Sequence, residues 1–295
     1  MTSEHLEPAW LFDGPPGLVN AEVVERWTSR TARLWQLRPP DGRDWIVKVG
    51  EGWGPPDVAA ITSAFARWQQ CVEDTRLEET VATIETVGVL NEPPRLYAEY
   101  VDGEELSQIL SSGGGGEQQL AACGRLLGAF HRENTYSGEH QDYQRDFFKI
   151  AKRLVIPRRI ASSLALHLSP VLSAGDFAPY NIRVQPDGRI VVLDAPQRPQ
   201  TVSVHCDIAR FAYWLHRTLV AHRATQNRSL DVFLQGYSEV TGRDFDFGEN
   251  KRLLAVYVGH LAQKAVAAHS RRRNLRGIPW EVERMIRARS AATGR

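Results

Sequence analysis

The sequence predicts an α+β fold with two lobes, a strand-rich N-terminal part followed by a helix-rich C-terminal part. Up to about residue 100, short segments rich in Val, Ile, Leu and Trp alternate with turns that contain Pro, Asp and Gly, a pattern typical of antiparallel strands. After Asp102-Gly103 the apolar residues recur at helical spacing over longer segments. We therefore expect an N-terminal lobe at residues 1–101 and a C-terminal lobe at residues 102–295.

The N-terminal part contains four predicted strands and one predicted helix. Strands are expected at 32–37 and 44–49, joined by the turn sequence Arg38-Pro39-Pro40-Asp41-Gly42-Arg43. Pro55-Pro56-Asp57 then opens a helix that runs to about residue 73. Further strands are expected at 81–87 and 95–100.

The C-terminal part is predicted to be helical except for one hairpin. The hairpin has strands at 181–184 and 189–193, and Gln185-Pro186-Asp187-Gly188 supplies its turn, because Pro presets φ and Gly accepts a positive φ. No internal repeat is found. Helices are expected at 104–111 and 117–131, with one or two more between 142 and 168, and again at 206–222, 229–241, 251–270 and 280–291.

Composition and charge narrow the class of protein. A chain of 295 residues with 42% hydrophobic and 24% charged residues can bury a sizeable core. Its net charge of +1 creates no global field that would attract nucleic acid, which makes a nucleic-acid partner unlikely. Three widely spaced cysteines match no zinc or redox pattern and are expected to be reduced thiols. The N-terminus does not resemble a signal peptide and no apolar stretch is long enough to span a membrane, so a cytoplasmic location is expected. The oligomeric state is left open.

Two polar side chains of the predicted hairpin are placed to share a metal ion. If Val184 pairs with Arg189, then Asn181 pairs with Val192, and Asn181 and Asp194 become diagonal neighbours on one face, roughly 7–8 Å apart. An amide oxygen and a carboxylate at that separation suit Mg²⁺, which is commonly held by one or two protein oxygens together with substrate phosphates.

A third polar side chain, Asp176, lies just before the hairpin. Pro179 keeps its loop from becoming helical, so Asp176 can share the site without being a metal ligand. A surface hairpin with ordinary polar ends explains any one of these residues alone. The combination of Asp176, Asn181 and Asp194 at these spacings favours a functional site.

The segment Gly175-Asp176-Phe177-Ala178-Pro179-Tyr180-Asn181, with the later strand ending in Asp194, resembles the catalytic and metal-binding loops of the aminoglycoside phosphotransferase and choline kinase group. The resemblance implies a bilobal protein-kinase-like fold across nearly the whole chain. It also implies that Asp176 is the catalytic base and that Asn181 and Asp194 hold Mg²⁺.

The resemblance extends to a nucleotide site in the N-terminal lobe. Lys48, the first lysine of the chain, lies in the predicted strand Trp45-Ile46-Val47-Lys48-Val49, where the family uses a lysine to grip phosphates and the residue two before it, Ile46, to line the adenine pocket. The turn around Ser29 corresponds to the family's phosphate loop but contains no glycine. Backbone groups of Glu99 and Val101 correspond to the hinge that meets the adenine edge.

Several family features differ in this chain or are left unassigned. The family usually has His-Gly-Asp where this chain has Ala174-Gly175-Asp176, and Ala195-Pro196 follows Asp194. The lysine normally pairs with a Glu on the next helix, and the nearest acid here, Asp57, is equally an N-cap residue. His131 is expected to be a packing or hydrogen-bonding residue. Asp207 is expected, from the resemblance, to brace the catalytic loop through backbone hydrogen bonds.

The interpretation that the sequence favours is an ATP- and Mg²⁺-dependent phosphotransferase acting on a hydroxyl of a small molecule, such as an antibiotic, amino alcohol, sugar or glycan precursor. One alternative is a pseudokinase that binds a nucleotide or a partner without turnover, which the missing glycines and the unassigned Glu favour. Another is an anion- or nucleic-acid-binding protein that uses the basic cluster at residues 271–276.

Overall fold

The structure, a computed structural model, describes residues 8–28, 31–40, 42–113, 115–135, 142–196, 199–219, 223–245, 248–271 and 278–293. Its N-terminal part is an antiparallel sheet with the strand order β1-β2-β3-β5-β4. Helix α1, Pro55–Thr75, connects β3 to β4 and packs beside β4. The strands are β1 (Glu22–Thr28), β2 (Ala32–Arg38), β3 (Trp45–Gly50), β4 (Thr86–Val89) and β5 (Arg95–Glu99).

The two faces of this sheet have different roles. Trp35, Val47 and Tyr97 pack on one face against the N-terminal segment, where Leu11 and Leu18 are fully buried. Residues one position away along β3 point to the opposite face because side chains alternate along a strand. Ile46 and Lys48 therefore share the face turned away from this cluster, and both are half-buried.

The C-terminal part is mainly helical, as the sequence predicts. The most extensive contact between its helices is that of α3 with α7, and α8 packs along both α9 and α6. Most predicted helices are found within a few residues of their expected bounds. The helices are α2 (Leu106–Ser111), α3 (Glu117–Glu133), α4 (Asp142–Arg153), α5 (Arg158–Ala165), α6 (Val204–Thr218), α7 (Arg223–Thr241), α8 (Gly248–Arg271) and α9 (Ile278–Thr293).

Two small sheets support the loop that contains Asp176. One has the order β6-β8-β9, in which the predicted hairpin forms β8 (Ile182–Val184) and β9 (Ile190–Val192) beside β6 (Glu104–Glu105). The other pairs β7 (Pro170–Leu172) with β10 (Thr201–Ser203). Glu104 and Glu105, expected at the start of a helix, belong to a strand because they pair with Val184 and Arg183.

The predicted register of the hairpin is wrong by one residue. Val184 pairs with Ile190 and not with Arg189. The loop is one residue longer than expected because the carboxylate of Asp187 accepts a hydrogen bond from the backbone N–H of Arg189 and bonds its guanidinium. Asn181 is consequently opposite Leu193, whose N–H donates to the Asn181 carbonyl.

The strand predicted at 81–87 is also displaced. The ladder strand β4 begins only at Thr86, and Val81 forms a single parallel bridge with Ile190 of the hairpin. The N–H of Ala82 donates to the carbonyl of Ile190, so this segment joins the sheet of the N-terminal part to the hairpin of the C-terminal part.

An apolar cluster lies between the N-terminal sheet and the hairpin. It combines Ile61 and Phe65 of α1 with Val101, and adds Val191 and Ala195 from the hairpin side. Because residues from both parts are buried against each other here, the hairpin is held at a fixed position below β3 and β5.

The three cysteines are free thiols, as the sequence predicts. Cys71 and Cys123 are buried free thiols and Cys206 is a half-buried one. Burial raises the pKa of the Cys71 thiol to about 11, which keeps it protonated. Within the described ranges, no helix is long and apolar enough to cross a membrane.

Candidate active site

The loop that presents Asp176 is fixed by the two residues that flank it. Gly175 has φ +77, and a Cβ atom there would lie 2.9 Å from the ring of Pro196. Glycine is therefore required both by the backbone conformation and by contact with the segment after Asp194. On the other side, Phe177 is 1% exposed and stacks on Trp68, with ring centroids 5.5 Å apart.

Asp207 on α6 braces this loop, as the resemblance implied. Its fully buried carboxylate accepts a hydrogen bond from the Ala174 backbone N–H at 2.7 Å and one from the Ser173 hydroxyl at 3.0 Å. His131 of α3 contacts the same carboxylate through Nε2 at 3.3 Å, and its Nδ1 is 2.9 Å from the Tyr237 hydroxyl. The prediction that His131 is a hydrogen-bonding residue is confirmed. Its ring gives Asp207 an imidazole neighbour, although the chain has Ala174 at the position before Gly-Asp where the resembling family usually has a histidine.

Asn181 ends a short 3-10 turn, Pro179–Asn181, and does not begin the strand as expected. Its amide Nδ2 donates to the backbone carbonyl of Asp176 at 2.8 Å and lies 3.3 Å from the Asp176 carboxylate. The amide nitrogen is therefore turned towards Asp176, which leaves the amide oxygen as the group that can face a cation.

Asp194 lies against the N-terminal sheet. The Lys48 ammonium donates to Oδ1 of Asp194 at 3.0 Å, and both side chains are partly exposed. The electrostatic field of Asp194 also reaches Tyr180, the neighbour of Asn181. The hairpin thus brings Asp176 and Asn181 into direct contact and places Asp194 on Lys48, in spite of the register that differs from the prediction.

Trp53 supports Lys48 from the loop between β3 and α1. The Lys48 ammonium lies 5.8 Å from the centroid of the Trp53 ring, within the range of a cation–π interaction. Gly50 at the end of β3 allows this position, because a Cβ there would lie 2.0 Å from the indole. No sequence pattern indicated Trp53, since nothing local relates it to a lysine on the strand before it.

Asp57, the acidic residue of α1 considered as a partner of Lys48, makes a different contact. Asp57 caps its own helix, with its carboxylate accepting a hydrogen bond from the Gly54 N–H at 2.9 Å. The face of α1 that packs inward is apolar. Among the described residues the partners of Lys48 are therefore Asp194 and the Trp53 ring.

Tyr180 was not singled out from the sequence, although it lies inside the motif. Its hydroxyl donates to Oδ2 of Asp176 at 2.6 Å, and its ring packs edge-on against Trp214 with centroids 5.0 Å apart. Burial and the hydrogen bond to Asp176 raise the pKa of Tyr180, so the phenol stays protonated and acts as the donor.

The remaining predicted site residues lie in or just after the strands beside Lys48, or outside the described residues. Ile46 is opposite Ala98 in the sheet and shares the face of Lys48. The Glu99 N–H donates to the carbonyl of Glu85, and Val101 follows as a buried residue of the apolar cluster. Ser29 and residues 272–276 of the basic cluster at 271–276 lie outside the described residues.

The donor set fits a divalent ion held partly by a substrate. Asn181 and Asp194 offer one amide oxygen and one carboxylate, which are ligands that Mg²⁺ accepts when phosphates complete its shell. Within the described part of the chain, no group of three or more His, Cys, Asp or Glu side chains could hold a metal alone. A metal ion held by Asn181 and Asp194 would need further ligands, which the phosphates of a substrate can supply.

Comparison with known proteins identifies the fold. No known protein family and no curated protein matches the sequence at a significant level. Among solved structures, an amicoumacin kinase in complex with AMP-PNP and Ca²⁺ is 13% identical, with 93% of this chain and 88% of that chain covered and a TM-score of 0.50.

Two further structures are similar to the chain at the same level. The GDP and kanamycin complex of APH(2″)-IIia is 10% identical, with 92% and 95% of the two chains covered and a TM-score of 0.54. An ethanolamine kinase from Plasmodium vivax is 10% identical, with 91% and 82% covered and a TM-score of 0.51.

These similarities cover almost the entire chain and confirm the predicted fold. The protein has the bilobal protein-kinase-like fold of the small-molecule phosphotransferases, with an antiparallel N-terminal sheet and a helical C-terminal part. At 10–13% identity they concern the fold alone. The function is therefore argued from the site.

Proposed function

We propose that the protein transfers the γ-phosphate of ATP, as a complex with Mg²⁺, to a hydroxyl of a small molecule. The observation that carries the proposal is the arrangement of four side chains at the cleft: Asp176 in contact with Asn181, and Asp194 in contact with Lys48. The fold shared with several small-molecule kinases supports the same reaction class.

Each of these residues has a definite part in the proposed reaction. Lys48 orients the triphosphate as a point charge. Asn181 and Asp194 would hold Mg²⁺, which when bound neutralises negative charge on the phosphates. Asp176 accepts the proton of the acceptor hydroxyl, whose oxygen then attacks the γ-phosphorus while the bond to the leaving oxygen of ADP breaks. Most of the rate enhancement would come from positioning and electrostatics.

A second candidate function is nucleotide binding without turnover. The Tyr180 hydroxyl favours it, because at 2.6 Å it already uses an oxygen of Asp176 that a substrate hydroxyl would need. Asp176 itself opposes it, since nucleotide binding alone requires no carboxylate that is free of both metal and Lys48. The adenine contacts of Ile46, Glu99 and Val101, the phosphate contact of Ser29 and the cytoplasmic location remain predictions.

The test combines turnover with nucleotide binding. A panel of hydroxylated small molecules is incubated with labelled ATP and Mg²⁺, and binding of Mg·ATP is measured in parallel by calorimetry. We expect Asp176→Ala to abolish transfer while Mg·ATP binding is retained, and Asp194→Ala to weaken the metal-dependent part of nucleotide binding. Asp74→Ala is a matched control, because this exposed carboxylate near the end of α1 accepts a hydrogen bond from Gln70 on its own helix and is not part of the hairpin.

The two candidate functions give different results in this test. Transfer above background that depends on Asp176 supports the kinase. Binding of Mg·ATP with no transfer and no ATP hydrolysis supports the second candidate. Equal turnover in wild type and Asp176→Ala would rule out the role assigned to this carboxylate.

A further inference from the structure

A pocket lies in the C-terminal part next to the candidate active site. It has a volume of about 400 Å³ and is enclosed by α4, α6, α8 and the strand β10. Ser173, which bonds the bracing Asp207, forms part of its wall only three residues before Asp176. Helix α6 contributes Arg210, one turn after Asp207.

The pocket is strongly basic. Four cationic side chains line it, one from α6, two from α4 and one from α8, against the single carboxylate of Asp146. Asp146 is already bonded to Lys149 at 2.7 Å. Among the described residues, neither Arg153 nor Lys264 has an acidic partner within ion-pair distance. The pocket therefore has an excess of positive charge that an anionic ligand would neutralise.

A buried histidine adds an independent sign of a missing ligand. His260 lines the pocket and is only 7% exposed, and its Nδ1 has no hydrogen-bond partner among the described residues. A buried polar atom without a partner costs free energy, so such atoms in folded proteins are usually paired with a ligand, an ion or water. Burial, together with Lys264 and Arg153, lowers the pKa of His260 to about 4. The ring is thus neutral, and it can donate one N–H to an oxygen of an anion.

Arg210 connects this pocket to the reacting groups. It lies 4.0 Å from the carboxylate of Asp207, and its charge interactions also include Asp176 and Tyr180. A molecule seated in the pocket would therefore lie beside the loop on which Asp176 is presented.

We propose that this pocket binds the anionic group, a phosphate or a carboxylate, of the molecule whose hydroxyl is phosphorylated at Asp176. This inference rests on the proposed function and narrows its acceptor to anionic hydroxyl compounds. Lys264 and Arg153 provide charge at the rim, and His260 provides a hydrogen bond from the wall. Cationic acceptors would be repelled by the same residues.

The first experiment measures anion binding without any turnover. Inorganic phosphate is titrated into the nucleotide-free protein at constant ionic strength, and the imidazole signals are followed by NMR, with His260→Gln used to assign the His260 signal. We expect phosphate to shift the His260 signal in wild type. The apparent Kd should rise about fivefold to tenfold in Lys264→Gln, because a charge-assisted contact is removed. Lys152→Gln is the matched control, since this exposed lysine on α4 does not line the pocket.

The second experiment compares acceptors with labelled ATP. Glucose 6-phosphate and glucose form a pair in which the first carries an anionic group on C6, the second a free C6 hydroxyl, and both share the remaining hydroxyls. We expect transfer to favour the phosphorylated sugar. Lys264→Gln should reduce that preference by raising the KM for the phosphorylated sugar, with little change in kcat, because Lys264 is proposed to bind the anionic group and not the reacting atoms.

The outcomes separate this inference from the proposed function. An unchanged His260 signal in wild type, or equal phosphate binding by Lys264→Gln and Lys152→Gln, overturns the anion site. Transfer confined to neutral or cationic acceptors also overturns it and leaves the kinase intact. Phosphate binding at His260 without transfer to any hydroxyl overturns the proposed function, and with it the acceptor role of the pocket.

Discussion

Removing the hydroxyl of Tyr180 should raise the rate of the phosphate transfer that we propose. The phenol donates to Oδ2 of Asp176 at 2.6 Å. A substrate hydroxyl has to donate to the same carboxylate before it attacks phosphorus. Tyr180 therefore competes with the acceptor, and Tyr180→Phe removes the competing donor while it preserves the ring that packs on Trp214.

The size of the effect follows from the kind of hydrogen bond. An O–H group that donates to a carboxylate at this distance forms a charge-assisted bond, and bonds of this class contribute about 1.5–3 kcal/mol net. Tyr180 is only partly buried, so the lower end of that range is appropriate. Since about 1.4 kcal/mol corresponds to a factor of ten, we expect kcat/KM for the acceptor to rise about tenfold.

The assay needs no knowledge of the acceptor, because water can serve as one. Hydrolysis of labelled ATP is measured for wild type and Tyr180→Phe, with the KM for Mg·ATP determined in parallel and expected to stay constant. Tyr213→Phe is the control: the Tyr213 hydroxyl also donates to a carboxylate, that of Glu281 at 2.7 Å, and has no contact with Asp176. A rate that is unchanged or reduced in Tyr180→Phe would refute the competition argument and indicate that the phenol positions Asp176.

Three further predictions concern stability. Gly175→Ala should lower the free energy of unfolding by about 1–3 kcal/mol more than Gly242→Ala in urea titrations, because both have a positive φ but only Gly175 contacts Pro196; equal losses would contradict this. Asp57→Ala should lower stability by about 1 kcal/mol as a helix cap and leave the KM for ATP unchanged, whereas a raised KM would indicate a contact with Lys48. Burial lowers the pKa of His205 to about 4 from 6.5, so this residue should contribute a loss of stability of about 1.4 kcal/mol per pH unit as the pH drops from about 6.5 towards 4. The pH slope of His205→Gln should be smaller by that amount, and an equal slope would contradict the prediction.

Local patterns were sufficient for most of the elements. The strand around Lys48 and the helix opened by Pro55 were predicted because alternation and helix-start residues act over a few positions. Strand β1 escaped the prediction because nearly all of its residues are exposed, so its sequence shows no alternation between buried and exposed positions. The strands β7 and β10 have three residues each, which is too short for a periodic signal.

The structure places Asp176 beside Asn181 and places Asp194 on Lys48, but not through the strand register that the sequence predicted. Gln185 to Gly188 predict a four-residue turn, and the interaction of Asp187 with Arg189 lengthens it to five residues. Asn181 is brought to Asp176 by a 3-10 turn and not by the pleat of a strand. A register argument is sensitive to a single residue in the turn, because the side-chain period of a strand is two.

The sequence pointed to His131 and Asp207 separately, but the contact between them could not be predicted. His131 and Asp207 are 76 positions apart, and no local pattern relates a histidine on one helix to the carboxylate that braces the catalytic loop. The sequence showed only that the histidine common before the Gly-Asp pair is replaced by Ala174. His131 reaches Asp207 because of the way in which α3 and α6 pack, and that packing is determined by the whole core.

The ion pair between Lys48 and Asp194 explains how the site can do without an acid on α1. Lys48 and Asp194 are 146 positions apart and join the N-terminal sheet to the hairpin. Both side chains are partly exposed, and pairs of this kind contribute only about 0–1 kcal/mol. A triphosphate, which offers several charged oxygens, can therefore displace Asp194 from Lys48 at little cost, and the Trp53 ring holds the ammonium on its strand during the exchange. In the proposed kinase the two residues would neutralise each other without nucleotide and would bind its phosphates and its metal once it is present, so the pair would be no obstacle to the proposed reaction.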